Sequence, residues 1–373
     1  MKKKILHIPN YYPPHIGGIE DVCRSIVTVL PEFEHQVICF HDQKQTLKEI
    51  VEGILVTRCG VWEKLFSQSV SFSFYKELKK AIKTFDPDMV HFHTPNPLSS
   101  VYLLLLLPKK TELIVHWHSD IIEQDFLYGF YRPIENRLLK RANKIVATAP
   151  TYLSGSKPLQ SRPDTIRIIP NTVNESKLQK QNEDEKAIAE IKQLYDGKKI
   201  IFTFGRHVPY KGLKYLIEAA PLISDEEAVI VIAGEGPLSN SLKESAKNLP
   251  NIYFIGRLEE NILRGYLYAA DIFVFPSITR NEAFGIALAE AMYCGLPAVT
   301  FTIPNSGVNW LCPDKETGLE AENGNVQLFA GAINTLLKDD ILRRRLGANA
   351  HNRIKEFFVS EAIKGSLLDL YES

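Results

Sequence analysis

Lys199-Ile200-Ile201-Phe202-Thr203-Phe204-Gly205-Arg206-His207-Val208-Pro209-Tyr210-Lys211-Gly212 reads as a short buried strand that runs straight into a glycine-bounded loop carrying two cations. The strand is brief and apolar, and its loop is marked by glycine and proline, the punctuation of a parallel sheet. Residues 174–190, just upstream, are dense in Lys, Gln, Asn and Glu and hold no strand-like run. The interdomain connection is therefore placed there or just before it, and a second series of elements starts with this strand.

Downstream, residues 228–233, 252–255, 272–275 and 298–301 repeat the pattern, with helix-length amphipathic segments between them. Upstream, residues 4–8, 36–40, 89–93, 113–116, 144–148 and 166–169 do the same. Such alternation is that of parallel sheets covered by helices, so the fold class is α/β. Two doubly wound, Rossmann-like domains are expected to face across a cleft, with ligands held by the loops at the carboxyl ends of the strands.

The chain has 373 residues, 45% of them hydrophobic and 24% charged, which is the composition of a globular protein with room for two domains. Its 44 basic and 44 acidic residues cancel, which removes the electrostatic footprint of a duplex-binding protein, and nucleic acid is excluded as a partner. The chain up to Glu175 is mildly basic and the remainder mildly acidic. A peripheral contact of the basic half with an anionic membrane surface is one use of that asymmetry; a plain solvated face is the simpler one. Cys23, Cys39, Cys59, Cys294 and Cys312 are odd in number and widely spaced, so they read as reduced thiols, without a zinc site or a disulfide framework. After Lys2-Lys3-Lys4, Pro9, Asn10, Pro13 and Pro14 interrupt the apolar run an export signal needs, and the apolar stretch at 101–107 is far below the ~20 residues of a membrane span. The expected location is cytoplasmic.

The loop after the first strand contains Gly17 and Gly18 ahead of an amphipathic helix through Ile19, Val22, Ile26 and Leu30. Adjacent glycines at a helix N-terminus let backbone N–H groups approach an anion, although a tight turn alone would need the same residues. In the second half, Arg206 supplies a bidentate fork and Lys211 a mobile point charge around one loop, a pairing suited to a diphosphate.

The strongest constellation is Glu282-Ala283-Phe284-Gly285-Ile286-Ala287-Leu288-Ala289-Glu290, which follows the strand ending at Phe275. Gly285 stands where a helix should begin and Gly295 where it should stop. Eight residues at ~1.5 Å rise put the carboxylates roughly 12 Å apart with a helix N-terminus between them. A nucleotide sugar has that layout, with sugar hydroxyls, diphosphate and ribose hydroxyls in line.

His118 follows the strand at 113–116 and so lies at a sheet's carboxyl end, in reach of a ligand; His91 and His93 alternate along another strand and read as packing residues. Two motifs mislead. Asp86-Pro87-Asp88 spells a metal-binding DxD, but it precedes its strand and lies at the wrong end of the sheet. Gly234-Glu235-Gly236 starts like a dinucleotide fingerprint, but Ser239 stands where the third glycine belongs.

Gly17-Gly18, His118, Pro170-Asn171, Gly205-Arg206 with Lys211-Gly212, Gly234-Glu235-Gly236, Gly256-Arg257 and the paired glutamates together resemble the retaining GT-B glycosyltransferases of family four, along nearly the whole chain. The family has a glycine after Pro-Asn where this chain has Thr172. The resemblance implies that Glu282 holds sugar hydroxyls, Glu290 the ribose, and Arg206 and Lys211 the diphosphate. It places Gly17, Gly18, Gly205, Gly234 and the segment Ala283, Phe284, Gly285, Ile286 around the donor, with Arg257-Leu258 meeting the base through backbone and His118 approaching the sugar. It also implies domains of 1–175 and 176–355, with a last helix at about 356–373 returning to the first. His118-Ser119-Asp120-Ile121 and Pro304-Asn305-Ser306-Gly307-Val308-Asn309-Trp310 look like bacterial mannosyl- or rhamnosyltransferases of surface polysaccharides, a resemblance that favours GDP-mannose as donor, with UDP-linked glucose, galactose or HexNAc still open, and implies a glycan or polyprenyl-linked acceptor that no motif of the N-terminal loops identifies.

No residue stands out as a nucleophile, so same-face attack assisted by the leaving phosphate is the expected route, with no metal and no cofactor. His118, Glu282, Arg206 and Lys211 carry the catalytic expectation. A sugar-nucleotide epimerase, a non-catalytic sugar-nucleotide binding protein and a dehydrogenase are the competing readings of the same architecture.

Overall fold

The structure is a computed structural model that describes the chain apart from residues 1, 16, 66–67, 122–124 and 225–227, and gives backbone alone for 64, 65, 68 and 125–127. It divides into two compact units: Met1–Asn171 with Ile363–Ser373, and Thr172–Ala362.

The first unit contains β1 (Lys4–Ile8), β2 (Glu34–His41), β3 (Leu47–Val51), β4 (Ile54–Gly60), β5 (Glu63–Leu65), β6 (Gln68–Val70), β7 (Met89–Thr94), β8 (Glu112–Trp117), β9 (Lys144–Ala147) and β10 (Ile166–Ile168). Eight of them form one sheet in the order β10-β9-β8-β7-β1-β2-β4-β3, and β5 pairs with β6 in a hairpin. Within the eight, only β3 against β4 is antiparallel. The second unit contains β11 (Lys199–Phe204), β12 (Ala228–Ala233), β13 (Ile252–Gly256), β14 (Ile272–Phe275), β15 (Ala298–Phe301) and β16 (Gly318–Ala321), parallel throughout in the order β13-β12-β11-β14-β15-β16. The central strands are near-continuous apolar runs because helices cover both faces; all six residues of Ala-Val-Ile-Val-Ile-Ala in β12 are buried.

Each sheet grows outward from one strand and then reverses. The chain moves from β1 towards β2 and returns on the other side at β7, and it moves from β11 towards β13 and returns at β14. Loops leaving β1 and β7, or β11 and β14, therefore diverge at the carboxyl ends and leave a crevice in each unit.

Of the two places given for the connection, the structure takes the one just before residues 174–190, which themselves form helices Glu175–Leu178 and Asp184–Leu194 inside the second unit. Asp184 and Arg264, both almost fully buried, make a bidentate pair at 2.7 and 2.9 Å that fastens the second of these helices to the helix Glu260–Ala269. The boundary falls after Asn171 rather than after 175, because Val173 bridges to Val359 and its N–H donates to the Phe358 carbonyl. The return to the first unit starts at Ile363 rather than about 356, because Phe358 packs on Phe284 and Trp310 of the second core. Strands β3, β4, β5, β6 and β16 were not anticipated.

The terminal helix Ser360–Glu372 ends in the first unit, where the Tyr371 hydroxyl meets His91 Nδ1 at 2.6 Å and the Leu370 carbonyl accepts from Lys144 Nζ at 2.7 Å. His91 is part of a buried imidazole ladder. His7 Nε2 meets His35 Nδ1 at 3.0 Å, His91 Nε2 meets His116 Nδ1 at 3.1 Å, and His93 Nδ1 meets His118 Nε2 at 2.9 Å. Burial, the main cause, lowers the pKa of His91 and of His118 to about 3, and of His7, His93 and His116 well below the ordinary value.

The unfolded chain takes up protons on these rings below about pH 6.5, whereas in the folded unit His91 and His118 stay neutral down to about pH 3 and the other three rings are shifted in the same direction. Their contribution is thus complete above pH 6.5 and is lost as the pH falls from there towards 3, by up to ~1.4 kcal/mol per pH unit for each ring. Urea midpoints of the first unit should fall steeply between pH 7 and 5.5; equal midpoints would contradict the neutral ladder. In the second unit, Asp184→Ala strands the buried Arg264 charge and should cost ~3–5 kcal/mol in denaturant unfolding. A loss below about 1 kcal/mol would mean that water reaches the pair.

Candidate functional site

In the second unit the crevice is built by backbone contacts that only glycine permits. Gly212 has φ +62°, and a Cβ there would lie 2.0 Å from the Pro276 carbonyl oxygen. Gly234, at φ +107°, would place one 2.0 Å from the Gly205 carbonyl oxygen. The loops after β11, β12 and β14 are thereby drawn together. A pocket opens among them, lined by Gly205, Arg206, Lys211, Phe275, Pro276 and Ser277.

Lys211 is carried to the floor of this crevice by the single turn Pro209–Lys211. Its Nζ donates to Glu282 Oε2 at 2.5 Å and lies 4.9 Å from the centre of the Phe275 ring. Both side chains are largely buried, at 16% and 12% exposure, so solvent screens the pair weakly. Burial works against the Lys211 charge, but the Glu282 carboxylate outweighs it and the Lys211 pKa is raised. Arg206 stays exposed at the rim.

Glu282 is positioned from three sides. Ser277 Oγ donates to its Oε2 at 3.2 Å, its N–H donates to the Thr279 carbonyl at 3.1 Å, and Ser306 Oγ donates to its own carbonyl. The Gly307 N–H donates to the Ala283 carbonyl at 2.9 Å, so the 304–310 segment supports the carboxylate's backbone. Ser277 and Ser306 were not among the expected site residues. Ser277 gives no motif signal, while Ser306 lies in a Pro-Asn-Ser-Gly turn that could have been read as a support.

Ala283, Phe284 and Gly285 are buried, and Gly285 adopts φ +97° as the N-cap of the helix Ile286–Tyr293. That helix ends at Cys294 and Gly295, the latter at φ +84°. Glu290 is the helix's fifth residue, half-buried. Only the Glu290 side of the eight-residue span is helical, so the 12 Å separation inferred from helical rise is replaced by a turn followed by a helix. The exit of β13 joins the same edge: the Gly234 N–H donates to the Gly256 carbonyl at 2.6 Å, leaving Arg257 exposed and Leu258 half-buried. In the Gly234-Glu235-Gly236 turn, Ser239 Oγ accepts from the Gly236 N–H at 2.9 Å, so the serine in the third-glycine position closes a turn of its own.

In the first unit, Gly17 is the extended N-cap of the helix Gly18–Val29. A Cβ on Gly17 would lie 2.2 Å from Glu20 Oε2, so glycine here admits the folded-back Glu20 carboxyl group. Glu20 is buried; burial lifts its pKa, opposed by N–H donors of Glu20 itself and Tyr11. The Glu20 carboxyl group thus lies against Gly17, while Gly18 is exposed.

His118 sits just past β8 with 7% exposure, beside a loop pinned by Asp120, which accepts from Trp117 Nε1 at 2.8 Å and Ser156 Oγ at 2.7 Å. Asp86 and Asp88 precede β7 and are engaged there, with Lys110 Nζ at 3.0 Å and the Lys4 N–H at 2.8 Å. Among the described residues, His7 with Cys23 and His93, and His91 with His93 and His116, bring donor atoms within 4.8 Å of one another. All five side chains are sealed from solvent, and both nitrogens of His91 are spent on Tyr371 and His116. No described helix is long and apolar enough to cross a membrane.

Comparisons with known proteins bear on the family and the fold. The family model "Glycosyltransferase Family 4" matches residues 16–177, and "Glycosyl transferases group 1" matches residues 184–353. The O-antigen chain mannosyltransferase C of Escherichia coli is 28% identical over 99% of this chain and 98% of its own. The D-rhamnosyltransferase WbpZ of Pseudomonas aeruginosa is 28% identical over 96% and 92%. Among solved structures, a sucrose-phosphate synthase from Thermosynechococcus elongatus superposes with a TM-score of 0.84 at 20% identity, covering 100% of this chain and 98% of that one. Anabaena HepE in complex with UDP-glucose superposes at 0.80 and 18%, covering 99% of each. With two Rossmann-like units and both family models matched in sequence, the chain belongs to the GT-B glycosyltransferases of family four and is a hexosyltransferase.

Proposed function

We propose that the protein transfers mannose from GDP-mannose, with retention of anomeric configuration, to a glycan or polyprenyl-linked acceptor in surface polysaccharide synthesis. The observation that carries the reading is the Lys211–Glu282 pair at the crevice between the exits of β11 and β14, ahead of a glycine-capped helix. A cation for phosphate and a carboxylate for hydroxyls stand side by side there. The names of the E. coli and P. aeruginosa relatives favour a mannose-type donor and a surface-glycan acceptor.

In this reading Lys211 and Arg206 take the diphosphate, and the backbone at Gly205, Gly234 and Ala283–Ile286 lines the donor. Arg257-Leu258 meet the base, Glu290 holds the ribose hydroxyls and Glu282 the sugar hydroxyls. Once Glu20 leaves Gly17, the Gly17-Gly18 amides add to the phosphate. His118 contacts the transferred sugar. The acceptor hydroxyl attacks the face from which the diphosphate departs and passes its proton to the leaving phosphate. The growing negative charge falls on Lys211, Arg206 and the helix N-terminus, so no divalent cation is needed.

A panel of nucleotide sugars tests the donor. GDP-mannose at about 100 times its Kd should add ~2.7 kcal/mol to stability, and acceptor-dependent GDP release should persist in EDTA. Stabilisation by a UDP-sugar alone would replace the donor, and turnover lost in chelator and restored by Mg²⁺ or Mn²⁺ would overturn the metal-free route.

The two glutamates should separate by kinetics. Glu290 makes similar contacts in ground and transition states, so Glu290→Gln should act mainly on KM. Glu282 holds the sugar as positive charge grows at its anomeric carbon, so Glu282→Gln should lower kcat. Each loses a charge-assisted hydrogen bond of ~1.5–3 kcal/mol, or roughly ten- to hundredfold in kcat/KM. A reversed split would exchange the roles.

A further inference from the structure

Two neighbouring strands of the first sheet each carry a His-x-His pattern, His91 and His93 on β7 and His116 and His118 from β8 onward. The parallel register aligns His93 with His116, so His118 lies two residues further on and on the same face. The rings of His93 and His118 are nearly parallel, with centroids 5.2 Å apart at 10°, and His116 stacks on His118 at 4.3 Å and 10°. His93 is fully buried, and its Nδ1 lies 2.9 Å from His118 Nε2. That bond uses the His118 nitrogen facing the core. His118 Nδ1 carries no hydrogen bond among the described residues, and the residue as a whole is 7% exposed.

The proton positions follow from what is left unpaired. His93 Nε2 is buried with no partner. A proton on that atom would be a sealed, orphaned N–H, which is the rarer and costlier of the two alternatives; a bare lone pair is better tolerated. His93 then carries its proton on Nδ1 and donates to His118 Nε2. A neutral His118 that accepts on Nε2 must carry its own proton on Nδ1.

We infer that His93 is a positioning residue that locks His118 in the Nδ1–H form, so that His118 offers the ligand a hydrogen-bond donor and not a general base. The inference rests on the reading that His118 contacts the transferred sugar. It deepens that reading by naming the atom, its polarity and the residue that sets both. The natural partner of such a donor is a sugar hydroxyl or ring oxygen. Burial keeps the His118 ring neutral, with a pKa of about 3, so the donor is an imidazole and not an imidazolium across the working range.

Side-chain ¹⁵N–¹H correlation spectra of the whole, ¹⁵N-histidine-labelled protein read the tautomer directly, with His118→Ala and His93→Leu used to assign the rings. His118 should show a protonated Nδ1 and an unprotonated Nε2; the opposite pattern overturns the inference whatever the kinetics. In steady-state assays, His93→Leu should lower kcat/KM for the donor roughly tenfold, the scale of one hydrogen bond. His93→Asn, which places an amide N–H near the position of Nδ1, should recover most of it. In a His118→Ala background the His93→Leu change should have less than about twofold effect, because the residue it positions is gone. Additive losses in that cycle would make His93 merely structural. If His118→Ala alone left kcat and KM unchanged, the sugar contact would fail while the spectra still judged the tautomer.

Discussion

Parallel strands cannot be joined by tight turns, and that constraint sets where this protein can place its chemistry. Every connection must cross over the sheet, and where the strand order reverses, two neighbouring loops leave in opposite directions. In the second unit this happens between β11 and β14. The gap is narrow enough that a single carbon atom on Gly212 would strike the Pro276 carbonyl oxygen. Lys211 precedes that glycine, and Glu282 follows Pro276 on the next loop. Their ion pair is thus a consequence of strand order and of one left-handed glycine.

The pair also explains how the crevice keeps opposite charges with limited access to water. Alone, either group would lose solvation without compensation. Together they orient each other, with Ser277 and Ser306 fixing the carboxylate and its backbone, and the carboxylate raises the Lys211 pKa against the effect of burial. On the function proposed above, an incoming diphosphate would compete with Glu282 for Lys211, turn the carboxylate towards sugar hydroxyls, and so couple the binding of phosphate and of sugar through one contact.

The legible parts of the chain were those where a local pattern and its tertiary role coincide. Buried strands such as β12 announce themselves because both faces are apolar, and Gly285 and Gly295 mark the helix between them because left-handed backbone favours glycine. β3 and β16 did not, since Leu-Lys-Glu-Ile-Val and Gly-Leu-Glu-Ala are short edge strands with polar residues on the open side. Residues 174–190 looked like a connection because the feature that docks them is a buried Asp184–Arg264 pair, which hydrophobic periodicity does not register. Gly17 suits either a tight turn or the approach of a phosphate, and the structure adds a third demand on it, room for the carboxyl group of Glu20 three residues on. A sequence shows that a glycine is needed without showing what approaches it.

The two units handle buried polarity in different ways, with consequences for how pH acts on the enzyme. The second unit pairs full charges, Lys211 with Glu282 and Arg264 with Asp184. The first sheet has such a pair too, Arg58 with Glu49 at the β3–β4 edge, but at its centre it pairs neutral imidazoles with one another, with the Tyr371 hydroxyl and with the Leu30 carbonyl. A neutral pair loses less solvation than an ion pair, but its cohesion depends on no ring gaining a proton. His118 shares the ladder with rings that only hold the sheet, so its protonation cannot be tuned independently of them. On acidification the unfolded chain gains protons on all of these rings before His118 itself titrates. Below neutral pH the histidines therefore act on this enzyme through the stability of its first unit, and the hydrogen-bonding character of His118 stays constant for as long as that unit is folded.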